Sequence, residues 1–237
     1  MVEGNGLLAA LRPQELALLA PHLSAIDFDK ESILFDAGEI VRFAYFPRWS
    51  AIAGFTVVVE DGQAVETLMV GMEGAIGGMV SQGYLPAYAR CSVLHPGSFY
   101  RISLAELDRL KGQAIQLGHL FNRYADCVMA QVFQSVACNA THTIEERAAK
   151  WLCATVERTG MNYVDMTQEQ IASMMGIGRS YASRVLQRLK ADSLIKTRRG
   201  GIEILAPDRL RAHACSCNAM VSRHFETVLG GVYPDPS

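Results

Sequence analysis

The sequence predicts an α+β protein in which an antiparallel β jelly-roll barrel is followed by a long helix and a C-terminal winged helix-turn-helix. Three observations support this prediction: short β-prone runs alternate with turn signals from Asp27 to Ser103, an apolar helical stripe follows, and two short helices joined by a glycine turn begin near Thr167. We expect the barrel domain in residues 1–112, the long helix in 113–140 and the winged domain in 141–237.

The composition indicates a folded protein of two modest domains. The chain has 237 residues, of which 50% are hydrophobic and 19% are charged, so it has enough apolar material for a core and intrinsic disorder is excluded. No apolar run approaches the roughly 18 to 20 residues that a membrane-spanning helix needs, and we expect a cytoplasmic protein without a membrane partner. Six scattered cysteines without a Cys-x-x-Cys motif indicate reduced thiols.

The net charge differs between the two parts of the chain. Residues 1–140 hold 9 basic and 14 acidic side chains, which gives −5, whereas residues 141–237 hold 13 and 10, which gives +3. This asymmetry favours a polyanionic partner for the C-terminal part.

The first domain begins with a helical pattern over Pro13–Leu23 and continues with short strands. Asp61-Gly62 between two of these strands is a hairpin signal, and Ser103 is placed to cap a short helix. Regularly spaced short strands with turn residues between them are typical of a sandwich or barrel. The predicted strands are 32–35, 43–46, 51–59, 65–70, 90–94 and 98–102.

The long predicted helix carries one apolar seam. Its members recur at spacings of three and four and are Leu117, Leu120, Phe121, Tyr124, Val128, Val132 and Val136. Such a seam packs either on its own domain or on a second copy of the helix. We favour a two-fold dimer helix, because it lies between two segments that have cores of their own. The expected dimerisation residues are Leu117, Phe121, Tyr124 and Val128.

The segment after Thr167 has the pattern of a helix-turn-helix. Thr167 and Gln170 form a capping box, and Gly176-Ile177-Gly178 ends the first helix. The second helix begins near Arg179 and has an apolar face of Ala182, Val185, Leu186 and Leu189. Its opposite face presents Ser180, Ser183, Arg184 and Gln187, which suit hydrogen bonding to base edges in a major groove.

A predicted β-hairpin over Leu194–Leu205, with a Gly-Gly turn, forms the wing. From Arg179 to Arg199 there are seven basic residues and one acid, Asp192, which is typical of a phosphate-binding surface. The expected contacts with double-stranded DNA are Thr167, Gln168, Arg179, Ser180, Ser183, Arg184, Gln187, Arg188, Lys196 and Arg198.

The pattern from Thr167 to Gly176 together with Arg179 to Leu186 resembles the cyclic AMP receptor and fumarate-nitrate regulator (Crp/Fnr) superfamily of bacterial transcription factors. The resemblance implies a cyclic-nucleotide-binding-like jelly roll, a homodimer that binds a palindromic operator, and RNA polymerase as a partner. In the family the recognition helix usually shows Arg-Glu-x-x-Ser/Gly-Arg. Arg179, Ser183 and Arg184 match, whereas Ser180 replaces the glutamate that accepts from a cytosine.

The resemblance places the effector near Gly77, Gly78, Tyr88 and Arg90. Family members that bind cyclic nucleotides have a Gly-Glu here, followed about ten residues later by an arginine for the phosphate. No carboxylate follows Gly77, and Arg90 falls about two positions late. We therefore expect an unidentified small-molecule or redox effector instead of cyclic AMP.

Two alternatives are weaker. His213, Cys215, Cys217 and His224 suggest a metal- or thiol-responsive regulator, but their spacing matches no common zinc motif and we assign no metal and no cofactor. A cupin-like metalloenzyme needs several barrel histidines, and residues 27–103 contain one, His95. No catalytic motif is found, so no enzymatic activity is predicted.

Overall fold

The computed structural model describes residues 2–60, 62–78 and 82–230, which separate into two compact units. The first unit comprises the described residues of Met1–Phe55, Leu68–Gln131 and Val221–Ser237, and the second comprises those of Thr56–Thr67 and Val132–Met220. In the described part of the chain, no helix combines the length and the apolar character that crossing a membrane requires.

Two antiparallel sheets form most of the first unit. One contains β1 (Ser24–Phe28), β7 (Gly97–Ser103) and β3 (Phe43–Pro47) in that order. The other contains β2 (Ile33–Phe35), β6 (Arg90–His95), β4 (Ile52–Val58) and β5 (Ala64–Val70) in that order. The sequence did not predict β1 as a separate strand, because its residues lack the clear turn signals that bound the others.

An apolar core forms between side chains of both sheets. Phe35, Tyr45, Val93 and Phe99 are among its buried members, and Phe28 packs edge-on against Phe99 with a centroid distance of 5.4 Å. The described strands thus form an open two-sheet jelly roll, and they do not close into the barrel that the sequence predicted. A sandwich and a barrel have the same alternating strand pattern, so the sequence does not distinguish them.

The β4–β5 hairpin has the predicted turn, although Asp61 itself lies outside the described residues. Gly62 has a φ of 80°, which favours glycine, and its N–H donates to the carbonyl of Val59 at 2.8 Å.

Short helices precede and follow the sheets. These are α1 (Gly6–Ala9), α2 (Pro13–Leu19) and α3 (Leu104–Gln113). The predicted helix over Pro13–Leu23 ends earlier, in a 3-10 turn over Ala20–His22, because Pro21 has no backbone N–H to continue an α-helix. The predicted cap of α3 is confirmed, since Ser103 Oγ accepts from the N–H of Glu106 at 3.3 Å.

The long helix α4 (Ile115–Thr141) buries the predicted seam from Leu117 to Val128 within the first unit, whereas the last two seam residues, Val132 and Val136, are exposed. Leu117, Phe121 and Tyr124 are at most 1% exposed, and the Tyr124 hydroxyl donates to the carbonyl of Ala75 at 3.0 Å. Val128 packs against the same core. The structure thus covers these predicted dimerisation residues with side chains of their own unit.

The C-terminal part of α4 has an exposed apolar face that includes Val132 and Val136 of the predicted seam. Met129, Phe133 and Val136 are 52%, 65% and 65% exposed, and Val132 is also exposed. They recur at spacings of three and four, which is the pattern of a helix that packs on another helix. A dimer that uses α4 would therefore contact these residues.

The second unit contains the winged helix-turn-helix. Its helices are α5 (Ile144–Thr159), α6 (Gln168–Met175), α7 (Arg179–Ala191) and α8 (Pro207–His213), and its strands are β8 (Tyr163–Val164), β9 (Ile195–Arg198) and β10 (Gly201–Ile204). The strands form one antiparallel sheet in the order β8-β10-β9. The last helix, α9 (Cys217–Leu229), begins in this unit and contributes its later residues to the first.

Candidate nucleic-acid interface

The two helices of the predicted helix-turn-helix form as expected. Thr167 Oγ1 accepts from the N–H of Gln170 at 3.2 Å, and Gln170 Oε1 accepts from the N–H of Thr167 at 2.9 Å, which completes the capping box of α6. Gly176 ends α6 with a φ of 64°, a left-handed conformation that favours glycine. The chain therefore turns within three residues and enters α7.

The two faces of α7 separate as the sequence predicted. Ala182, Val185, Leu186 and Leu189 are at most 3% exposed and anchor the helix. On the other face, Arg179, Ser180, Arg184, Gln187 and Arg188 are exposed, and Ser183 is half-buried. The side chains with hydrogen-bonding groups are thus available to a ligand outside the domain.

Arg184 is held by an aromatic contact. Its guanidinium carbon lies 5.3 Å from the centroid of the Tyr181 ring, within the range of a cation–π interaction. Among the residues that the structure describes, no carboxylate forms an ion pair with Arg184. The contact orients the guanidinium while its donors remain available to an acceptor on a base.

Other basic residues of this surface have acidic neighbours. Arg188 pairs with Glu145, and Arg198 Nε donates to Glu203 Oε2 at 2.8 Å. Arg179 is 3.7 Å from Glu169 in a strongly exposed ion pair. Exposed ion pairs contribute only about 0–1 kcal/mol, so a phosphate can replace the carboxylate with little loss.

The wing lies directly after α7. Leu194 and Ile195 are buried at its base, whereas Lys196, Arg198 and Arg199 are exposed along β9 and its turn. Thr167 and Gln168, at the start of α6, are also exposed. The basic groups of the wing and the start of α6 are the predicted phosphate contacts, and each is accessible.

The tip of the β4–β5 hairpin packs on α6 within the second unit. Ser173 Oγ donates to the carbonyl of Ala64 at 2.7 Å, and Val65 lies beside Gly176. Burial raises the pKa of the neighbouring Glu66 to about 8, and the adjacent Trp151 side chain offsets part of this rise. Sequence analysis did not reveal this contact, because more than 100 residues separate Ala64 from Ser173.

The raised pKa of Glu66 predicts that the stability of the folded protein depends on pH. Its folded-state pKa exceeds the ordinary value of 4.5, so the folded protein binds the extra proton and loses stability as pH rises from about 4.5 to about 8. Glu66→Gln removes this titration. At about 1.4 kcal/mol per pKa unit, the full shift corresponds to at most about 5 kcal/mol in the free energy of unfolding. Because Glu66 is only partly buried, we expect Glu66→Gln to raise the free energy of unfolding above pH 8 by about 1–3 kcal/mol.

Urea unfolding of both proteins from pH 5 to pH 9 measures this difference. Glu60→Gln, at an exposed position of the same hairpin, is the matched control for the loss of one carboxylate. Parallel profiles for wild type and Glu66→Gln would show that the Glu66 carboxyl is not held in its neutral form.

The structure shows the surroundings of three of the four residues that were predicted for the effector. Arg90 donates to both carboxylate oxygens of Asp36, at 2.9 and 2.8 Å, which also holds the pKa of Asp36 below its ordinary value, and Tyr88 is 88% exposed. A Cβ on Gly77 would lie 2.7 Å from the carbonyl oxygen of Phe43, so this glycine permits close backbone packing. Residues 79–81, within the predicted effector stretch, lie outside the described residues.

A cleft elsewhere in the first unit has a volume of about 470 Å³. Its lining comes from β2, β3 and the segment between them: Leu34, Phe35, Glu39, Ile40, Arg42, Phe43 and Tyr45. Burial raises the pKa of Tyr45, so its phenol stays protonated and is available as a donor. None of the four predicted effector residues is among these lining residues.

The C-terminal cysteines have partners that the sequence analysis did not consider. The thiols of Cys215 and Cys217 lie close to Cys138 and His142, and this group does not include His213 or His224. One sequence feature could have pointed to this group: Cys138 and His142 are four residues apart near the end of a predicted helix, a spacing that places two side chains on one helix face.

A capped helix, a glycine turn, an exposed arginine-bearing second helix and a three-stranded wing together define a winged helix-turn-helix protein of the DNA-binding class. Residues 146–213 match the family model of the Crp-like helix-turn-helix domain. The chain thus contains a Crp-like helix-turn-helix domain, and its fold is that of solved Crp/Fnr-family structures.

Several solved structures share this fold. A putative Crp/Fnr-family transcriptional regulator from Eubacterium rectale superposes with a TM-score of 0.69 at 16% identity, over 87% of this chain and 96% of its own. FixK2 from Bradyrhizobium japonicum superposes with a TM-score of 0.68 at 14% identity, over 81% of this chain and 98% of its own. TTHB099, a Crp-family regulator from Thermus thermophilus, superposes with a TM-score of 0.66 at 20% identity, over 80% of this chain and 96% of its own. No curated protein matches the chain by sequence.

Proposed function

We propose that the protein is a cytoplasmic homodimeric transcription regulator that reads a palindromic operator through α7, under the control of a signal sensed by the N-terminal β domain. The observation that carries this proposal is the exposed Arg184 on the second helix of a Crp-like helix-turn-helix domain. Such a helix fits the major groove, where an arginine donates two hydrogen bonds to guanine O6 and N7.

The neighbours of Arg184 suit the same role. Ser180 and Gln187 lie four residues before and three residues after it on the exposed face of α7, and Ser183 precedes it. Small hydroxyls let the helix approach the base edges closely, and a glutamine can make two hydrogen bonds with adenine. We therefore assign base reading to these four residues.

Phosphate binding is assigned to Thr167, Gln168, Arg179, Arg188, Lys196 and Arg198. These residues lie at the start of α6, along α7 and on the wing, which are the elements that contact the DNA backbone in winged helices. Binding would exchange the carboxylate partners of Arg188 and Arg198 for phosphates. The affinity should then fall steeply with salt concentration.

Dimerisation is assigned to the exposed α4 face of Met129, Val132, Phe133 and Val136. Two copies that pack along this face present two recognition helices, as a palindrome with half-sites about 34–36 Å apart requires. RNA polymerase is the expected partner of the DNA-bound dimer, because regulators of this type act on transcription initiation.

The signal can reach the DNA-binding domain through the β4–β5 hairpin. The hydrogen bond from Ser173 to Ala64 joins the hairpin tip to α6, and the strands of this hairpin continue into the sheet that carries β2 and β6. An effector bound in the 470 Å³ cleft beside β2 would contact the sheet from which this hairpin extends.

Cyclic AMP and cyclic GMP are expected to bind no tighter than millimolar, equivalent to about −4 kcal/mol. Arg90 is already neutralised by Asp36, and the cyclic phosphate would be left without a dedicated cation. Titration calorimetry on the full-length protein measures this. A micromolar isotherm that Arg90→Ala abolishes would show that Arg90 exchanges Asp36 for the phosphate.

Selection of bound sites from random duplex DNA tests the proposed function directly. The wild-type protein is expected to enrich a palindrome whose half-sites each contain a guanine required by Arg184. Enrichment of no motif, or of a motif without two-fold symmetry, would contradict the proposed homodimeric reader.

A further inference from the structure

We propose that Cys138, His142, Cys215 and Cys217 form a structural zinc site in the second unit. Their three sulfurs and one imidazole nitrogen all lie within 4.8 Å of one another. Three thiolates and one imidazole are a ligand set that tetrahedral structural zinc sites use. This inference goes beyond the proposed function, because DNA reading by α7 does not require it.

Local backbone structure explains why the four side chains converge. His142 continues the last turn of α4, since its N–H donates to the carbonyl of Cys138 at 3.0 Å, and residues four apart share one helix face. Cys215 precedes α9 in non-helical backbone, whereas Cys217 is the first residue of that helix. Because only one of these two cysteines is helical, their sulfurs are not directed apart as they would be at two positions of one helix.

The spacing of the ligand atoms agrees with tetrahedral geometry. Cys138 Sγ and Cys215 Sγ are 3.6 Å apart, whereas Zn–S bonds of ~2.3 Å at a tetrahedral angle place two sulfurs ~3.8 Å apart. Cys217 Sγ and His142 Nδ1 are also 3.6 Å apart, against an expected ~3.6 Å for one sulfur and one nitrogen ligand. Two of the six distances between ligand atoms thus agree with one tetrahedral zinc ion, and none of the six exceeds 4.8 Å.

Two further polar groups are directed at the sulfurs. Lys150 Nζ lies 3.3 Å from Cys138 Sγ, and Gln134 Nε2 donates to Cys217 Sγ at 3.1 Å. Three thiolates and one Zn²⁺ carry a net charge of −1, which the Lys150 ammonium offsets. Donors of this kind surround metal-bound thiolates and raise the affinity for the metal. The contacts of Lys150 and Gln134 therefore support a metal site independently of the distances between the ligand atoms.

The ligand set favours zinc over other cations and a structural over a catalytic role. Thiolates disfavour Mg²⁺ and Ca²⁺, which prefer oxygen ligands. All four tetrahedral positions are supplied by the protein, so none remains for a substrate or a water. Cys138 and Cys217 are at most 2% exposed, which shields the site from solvent. The site would join the end of α4 to the segment between α8 and α9.

Metal analysis of the full-length protein tests the proposal. The wild type, reduced, treated with a chelator and then given Zn²⁺, is expected to bind one zinc per protomer with a dissociation constant below about 1 nM. Cys138→Ser and Cys217→Ser are expected to weaken binding by about 100-fold or more. Cys153→Ser removes a buried thiol of the same unit outside the cluster and is expected to keep the metal.

Two variants separate metal binding from misfolding. His142→Cys supplies a fourth thiolate, so it is expected to retain zinc and to strengthen the sulfur-to-metal charge-transfer absorption of the Co²⁺-substituted protein. Lys150→Met keeps all four ligands and is expected to weaken zinc binding by about 10- to 100-fold. A reduced wild type that binds no zinc, a disulfide between Cys138 and Cys215 in place of metal, or equal zinc affinity in the cysteine variants and Cys153→Ser would each overturn the proposal.

Discussion

Arg184→Ala is expected to weaken binding to the preferred palindrome by about 1–3 kcal/mol per half-site, and by about twice that for both half-sites of a dimer. The reason is that Arg184 is exposed on the outer face of α7 and is oriented by the Tyr181 ring. Site selection from random DNA, followed by titration of the selected and scrambled sites, measures the effect. The variant should no longer discriminate between bases at one symmetric position of the palindrome, and it should still discriminate at the other positions.

Lys196→Ala is the matched control for this experiment. Lys196 is an exposed wing residue, so its loss is expected to weaken binding to all DNA sequences alike and to reduce the slope of log affinity against log salt concentration by about 1 per half-site. Ser180→Glu should create a preference for cytosine, because a carboxylate accepts from cytosine N4. An unchanged selected motif for Arg184→Ala, or a wild type that already requires this cytosine, would contradict the assignment of base contacts.

Phe133→Glu is expected to separate the proposed dimer, whereas Tyr124→Glu is expected to destabilise the first unit. Phe133 lies on the exposed apolar face of α4, so two charges would meet in the dimer interface and weaken association by about 100-fold or more. Tyr124 is 1% exposed and donates to the carbonyl of Ala75, so an unpaired carboxylate there should lower stability by about 3–5 kcal/mol.

Analytical ultracentrifugation and urea unfolding distinguish the two effects. Phe133→Glu should sediment as a folded monomer at micromolar concentration with an unchanged monomer stability. Tyr124→Glu should shift the unfolding midpoint of the first unit. If Tyr124→Glu were instead a folded monomer and Phe133→Glu a stable dimer, the buried seam would be the interface after all.

The helix-turn-helix was predictable because its signals are local. The capping box at Thr167, the glycine turn at Gly176 and the period of Ala182 to Leu189 each fall within a few residues, and the structure reproduces all three. The strands of the first domain were predictable for the same reason, since turn residues bound most of them. Whether those strands close into a barrel depends on pairing between distant segments, which local pattern does not encode.

The dimer residues illustrate a limit of periodicity. An apolar stripe shows which face of a helix is buried, but not which surface buries it. On α4 the stripe from Leu117 to Tyr124 packs on the domain core, and a second apolar face from Met129 to Val136 remains exposed. The thiol cluster shows a related limit, because Cys138 and Cys215 are 77 positions apart and only the folded chain brings them together.

The length of α4 has a mechanical consequence. Its 27 residues form one rod of about 40 Å, given a rise of about 1.5 Å per residue. A tilt of about 5° at one end therefore carries the other end through about 3.5 Å, which matches the rise of about 3.4 Å between successive base pairs. In the proposed regulator, a rotation of a few degrees about one end of α4 would therefore displace its other end by about one base-pair step.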